Sequence, residues 1–125
     1  MYLVDTNIFL EILLAQEKSS DCKDFLNKNY DKIFISDFSL HSIGVILYRY
    51  NKKEIFKKFV QEILSEIKIL NLPSQEYDIF INSSQLPNLD FDDLYQYSIA
   101  KYYDLEIVTM DSDFKKIKDI NVKFL

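Results

Sequence analysis

The chain is predicted to be an α/β protein, a three-layer α/β/α sandwich around a mainly parallel sheet, and three observations predict it. Short β-type apolar runs alternate with longer segments whose apolar residues recur at spacings of three and four. The 125 residues, 48% of them hydrophobic, suit a single domain spanning 1–125 that needs no covalent staple. Two acidic strings, Val4-Asp5-Thr6-Asn7 and Val108-Thr109-Met110-Asp111-Ser112-Asp113, each follow an apolar run, the position where open α/β sheets bind ligands.

Tyr2-Leu3-Val4 forms the first strand and runs into Asp5-Thr6-Asn7, a polar turn suited to cap a helix over residues 8–15. Ser19-Ser20-Asp21 then caps a second helix with Cys22, Phe25 and Leu26 on one face, ending near Asn29. A second strand is expected at Ile33-Phe34-Ile35, after which Ser36 and Asp37 open a long helix through Tyr50 with Leu40, Ile43, Ile46 and Leu47 inward. Residues 53–67 form another amphipathic helix, turning Ile55, Phe56, Phe59, Val60, Ile63 and Leu64 to the core.

Lys68-Ile69-Leu70 is a brief third strand, and Pro73 suits the first turn of a helix over residues 74–85 that stops before Pro87-Asn88. The next helix runs from about Asp90 to Tyr103. Glu106-Ile107-Val108-Thr109 is the clearest buried strand, and Asn121-Val122-Lys123-Phe124 makes a last, edge strand. The sole glycine, Gly44, lies inside a helix, where it permits close packing, and a glycine-rich phosphate loop is thereby excluded.

Cys22 is the only cysteine, so no internal disulfide or cysteine-based zinc site can form, as expected of a protein in a reducing cytoplasm. There is no apolar run of about 18 residues and no cleavable leader pattern, so neither a membrane span nor export is expected. A formal charge of −5 argues against a broadly basic nucleic-acid surface, although divalent cations among the aspartates would offset it locally. Lys52, Lys53, Lys57 and Lys58, and likewise Lys115, Lys116 and Lys118, read as solvated helix faces that could still hold a polyanion. Tyr48, Tyr50, Tyr95, Tyr97, Tyr102 and Tyr103 could stack on unpaired bases, but core edges or a subunit interface suit them better.

The acids carry the chemistry. Asp5 and Asp111 both occupy the end of an apolar strand, Asp93 enters from the start of the late helix, and Asp113 sits two residues beyond Asp111. Carboxylates brought together repel and raise one another's pKa unless a cation intervenes. Oxygen donors without histidine or cysteine select magnesium or manganese over zinc. Asp90, three residues before Asp93, has the spacing of a helix cap, and Asp92 points outward.

These residues resemble the PIN-domain nucleases. The resemblance rests on Leu3-Val4-Asp5-Thr6-Asn7, on Asp93-Leu94-Tyr95-Gln96-Tyr97-Ser98-Ile99-Ala100, and on Ile107-Val108-Thr109-Met110-Asp111-Ser112-Asp113-Phe114. It extends over the whole chain and is closest to small single-domain VapC-like toxins, which cut RNA with a divalent metal and are silenced by an antitoxin. It implies catalytic Asp5, Asp93, Asp111 and Asp113, a Mg2+ or Mn2+ ion held by Asp5, Asp93 and Asp111, an RNA substrate, an antitoxin partner and a homodimer. Thr6 and Asn7 match residues that brace the first acid, and Thr109 matches a small hydroxyl residue near the site.

The pattern departs from the family at one place. A glutamate is usual early in the helix after the second strand, whereas Ser39-Leu40-His41-Ser42 places Ser42 there. Asp37 and His41 are the nearby groups that could substitute. The resemblance therefore leads to a metal-dependent ribonuclease, with a PIN fold that binds RNA or a protein without cutting as the alternative. A phosphoacceptor receiver domain fits less well, because Ile69-Leu70 is followed by Asn71-Leu72-Pro73 where an acceptor aspartate would be needed.

Overall fold

The computed structural model describes residues 1–82 and 88–125. Five parallel strands, β1 (Tyr2–Val4), β2 (Ile33–Ser36), β3 (Lys68–Leu70), β4 (Glu106–Thr109) and β5 (Val122–Phe124), form one sheet in the order β3-β2-β1-β4-β5. Every pairing is parallel, so the sheet goes beyond the mainly parallel one expected. Among the described residues six helices cover it: α1 (Thr6–Leu13), α2 (Ser19–Asn29), α3 (Asp37–Arg49), α4 (Lys53–Glu62), α5 (Glu76–Ile81) and α6 (Phe91–Tyr102).

Alternation along the strands divides the core in two. Val4, Ile33, Ile35 and Val108 face one side with Ile8 and Phe9 of α1, Cys22 and Phe25 of α2, Ile43 and Leu47 of α3 and Phe59 of α4. Leu3 and Ile107 face the other with Phe80 of α5 and Tyr95, Ile99 and Ala100 of α6. The result is the three-layer sandwich. Strands progress outward from β1 through β2 to β3, then the chain crosses to the other side of β1 as β4. The carboxyl ends of β1 and β4, which carry Asp5 and Asp111, thus meet where the strand order reverses.

Several element ends differ from expectation. The first helix starts at Thr6, because Asp5 itself is the cap and accepts from the Thr6 amide, and it stops at Leu13. Ala15 closes that helix with φ of 50°, and Asn51 and Asp104 take the same left-handed conformation after α3 and α6. Helix α2 begins at Ser19 with no side-chain cap, so the serines and Asp21 form its first turn. Helix α4 ends at Glu62, not at residue 67, since a helix reaching Ile67 would leave no residues to turn the chain into β3. Val60 is exposed. The expected helix over 74–85 is present as Glu76–Ile81, and its expected end at Gln85 and Pro87 lies outside the described residues. Asp90 occupies the N-cap of α6 but makes no side-chain cap; its carbonyl accepts from the Leu94 amide at 2.9 Å.

Among the described residues no helix is long and apolar enough to cross a membrane.

Candidate metal centre

Asp5 is held by the three elements that meet around it. Its backbone amide still donates to the Val108 carbonyl at 2.9 Å, continuing the β1–β4 ladder, while its side chain already caps α1. Oδ1 accepts from the Thr6 amide at 2.8 Å and from Gln96 Nε2 at 3.1 Å; Oδ2 accepts from the Thr109 hydroxyl at 2.7 Å. Only 8% of the residue is exposed. Burial pushes its pKa up and the neighbouring Asp111 adds to this, while the three hydrogen bonds oppose the rise.

Asn7 ties the same two strands together. Its Nδ2 lies 3.3 Å from the Thr109 hydroxyl and its Oδ1 accepts from the Met110 amide at 3.3 Å. Thr109 also accepts from the Asp111 amide at 3.0 Å, which turns the chain so that Asp111 caps the 3-10 turn Ser112–Lys116 by accepting from the Asp113 amide at 2.9 Å. Thr109 thus meets Asp5 directly and Thr6 through its backbone amide, while the Asn7 side chain reaches Thr109 and Met110.

Asp93, in the first turn of α6, completes the cluster. One carboxylate oxygen from each of Asp93, Asp111 and Asp113 lies within 4.8 Å of the others, close enough to share one ion. Asp5 stands outside this group, although its charge is felt at Asp93. Burial and then the charges of Asp111, Asp5, Asp90 and Asp113 raise the Asp93 pKa from 3.8 to about 7. Acids arranged so that one of them resists ionisation near neutral pH fit a hard cation with oxygen ligands, and Asp93, Asp111 and Asp113 are close enough together to hold one. Lys116 Nζ, 3.9 Å from Asp113, also reaches the Asn88 carbonyl at 3.1 Å.

The other sequence candidates are not among the acids that converge. Asp37 is exposed, and its Oδ1 accepts from the Phe38 amide and from the Tyr95 hydroxyl, each at 2.8 Å. His41 is exposed, one helical turn further, in a groove with Asp37, Leu40, Val45, Tyr48 and Phe56. Asp92 is exposed, as expected. Ser42 is half-buried, one turn beyond Ser39 on α3. Of the tyrosines, Tyr95 and Tyr97 are core residues, whereas Tyr48, Tyr50, Tyr102 and Tyr103 remain exposed.

Two groups near the acids were not evident in the sequence. Ser39, fully buried, accepts from Gln96 Nε2 at 2.8 Å, meets the Thr6 hydroxyl at 2.8 Å, and lies 3.1 Å from the Ser36 hydroxyl. Gln96, three residues after Asp93, is 1% exposed and joins Ser39 to Asp5. The only available signal was a neutral polar residue on the buried side of a helix.

The PIN domain family profile matches residues 2–120. The chain belongs to the PIN domain family. Solved structures similar to this PIN domain include VapBC2 from Rickettsia felis bound to a promoter DNA fragment, at 20% identity and TM-score 0.75 over 99% of this chain and 98% of that one. FitAcB from Neisseria gonorrhoeae matches at 19% identity and TM-score 0.73, covering 98% and 96%. Mycobacterium tuberculosis VapC20, described as a sarcin-ricin loop cleaving toxin, matches at 12% identity and TM-score 0.72, covering 92% and 93%. At these identities the likeness is one of fold. No curated protein sequence matches the PIN domain described here.

Proposed function

We propose that this PIN domain is a divalent-metal-dependent endoribonuclease, with Asp5, Asp93 and Asp111 holding Mg2+ or Mn2+ and Asp113 assisting. The observation that carries the reading is the convergence of Asp93, Asp111 and Asp113 within 4.8 Å beside buried Asp5, at the reversal of strand order. A divalent cation bound there supplies Lewis-acid chemistry, activating water and offsetting charge on a phosphodiester. The chain's own contribution is to fix the acids: Thr109, Gln96 and the Thr6 amide set the Asp5 rotamer, and the capping turn sets Asp111 against Asp113.

A toxin role with an antitoxin partner is supported by similar folds solved as VapBC2 and FitAcB, and RNA as substrate by the likeness to VapC20. Exposed Ile79, Ile81, Phe91 and Tyr102 beside α5 and α6 favour a homodimer. A cytoplasmic setting is part of the same proposal. The test is manganese-dependent cleavage of RNA by highly purified protein, alongside Asp5→Asn. Wild-type turnover that Asp5→Asn abolishes is expected; full metal-dependent activity in Asp5→Asn would sink the proposal.

Ser42 favours a second reading, a PIN domain that binds RNA or a protein without cutting. No turnover on any RNA at saturating manganese would select it over the first.

A further inference from the structure

Gln96 Oε1 is the one buried side-chain oxygen or nitrogen without a hydrogen-bond partner among the described residues. Its orientation is imposed by its neighbours. Both Nε2 hydrogens are committed, one to Asp5 Oδ1 at 3.1 Å and one to Ser39 Oγ at 2.8 Å. Turning the amide over would aim an acceptor at a carboxylate. The free oxygen therefore belongs to the structure, and a buried acceptor without a protein partner calls for one, such as an ordered water or an ion. Residue 96 lies three positions after Asp93 on α6, so the amide and the Asp93 carboxylate project from the same side of that helix, toward the ends of β1 and β4.

We propose that Gln96 is a positioning residue for the cation: Nε2 orients Asp5, and Oε1 accepts a hydrogen bond from a water carried by the bound metal ion. This rests on the metal-binding reading above. Magnesium and manganese keep part of their hydration shell when bound by carboxylates, and those waters need acceptors. Many PIN domains put an acid at the Ser42 position. Here the end of β2 and the first turn of α3 supply the hydroxyls of Ser36 and Ser39, and Gln96 of α6 supplies the amide whose oxygen has no partner.

The experiment titrates Mn2+ calorimetrically into wild type, Gln96→Met and Gln96→Glu, with urea and thermal unfolding of each protein with and without Mn2+. Gln96→Met keeps the volume and removes donor and acceptor together, so Mn2+ should bind about tenfold to a hundredfold more weakly. Gln96→Glu restores an acceptor and adds charge. It should be the least stable variant without metal, bind Mn2+ more tightly than Gln96→Met, and gain more in melting temperature from Mn2+ than wild type does.

Mn2+ binding by Gln96→Glu no tighter than by Gln96→Met overturns the proposal. Mn2+ binding by Gln96→Met within twofold of wild type also overturns it while leaving the metal-binding reading intact. Failure of wild type to bind Mn2+ removes both. Should Gln96→Glu not fold without metal, the Gln96→Met titration decides.

Discussion

The Thr109 hydroxyl donates to Asp5 Oδ2 at 2.7 Å, joining the ends of β1 and β4 across 104 positions of sequence. The same oxygen accepts from the Asp111 amide at 3.0 Å, so one buried hydroxyl sets two of the acids at once. Thr109→Val keeps the shape and removes this junction. It should lower stability by about 1–3 kcal/mol, the usual consequence of stranding buried polar groups. Asp5 would also lose a hydrogen bond that holds its pKa down, so Mn2+ should bind more weakly at neutral pH. Urea unfolding and calorimetry check both, and an unchanged stability would contradict the first.

The metal-free protein should become less stable as pH rises from about 4 to about 7. Asp93 titrates near 7 when folded and ordinarily at 3.8. Between these values the folded state holds a proton that the unfolded chain has released, so raising the pH disfavours folding. Asp5 is shifted in the same direction. Because Asp93 is only partly buried, solvent screening reduces the effect to roughly 1–2 kcal/mol. Saturating Mn2+ should reverse the slope by stabilising the ionised acids. Asp93→Asn should be more stable than wild type at pH 8 without metal and should bind Mn2+ poorly. Thermal melts across pH, with Mn2+ and with a chelator, measure each expectation.

The strands and the convergence of Asp93, Asp111 and Asp113 were legible because each signal is local: an apolar run with a carboxylate one or two residues beyond it marks β1 and β4, and an acid before the Leu94–Ala100 segment marks α6. What Gln96 and Ser39 do was not legible, since their hydrogen bonds span 57 and 91 positions and neither residue is charged. Helix ends were blurred for another reason. The single glycine lies within α3, so Ala15, Asn51 and Asp104 close helices in left-handed conformations with no glycine to mark the stop. In α4 the apolar spacing continues past the helix, because half-buried Ile63 and Leu64 and buried Ile67 pack from the turn that follows it.

Gly44 lies beneath an aromatic ring. A Cβ added there would sit 3.2 Å from Phe56 Cζ, close enough that the ring must move by a few tenths of an ångström. Phe56 borders the groove lined by Leu40, Val45 and Tyr48, so it has space to yield. Replacing a helix-interior glycine by alanine contributes about 1 kcal/mol, and displacing the ring offsets part of it. Gly44→Ala should therefore be mildly stabilising, by about 0.5 kcal/mol. A loss greater than about 1 kcal/mol in urea unfolding would mean that the Phe56 ring is held where it is.

Ser42→Glu tests whether the family's usual acid can be restored. Ser42 is half-buried one turn beyond Ser39, whose hydroxyl touches both Thr6 and Gln96, so its Cβ lies on the side of α3 that approaches the acids. A glutamate there would extend a carboxylate toward Asp5 and Asp93. Without metal it adds like charge to a cluster that already raises the Asp93 pKa, so the variant should be less stable than wild type at pH 8. With metal it adds a ligand charge, and Mn2+ affinity should rise by roughly tenfold. The stability order of the two proteins should then invert as Mn2+ is added. Parallel curves with no inversion would mean that position 42 does not face the cation, and that the acids of α6 and of the β1 and β4 ends form the centre without α3.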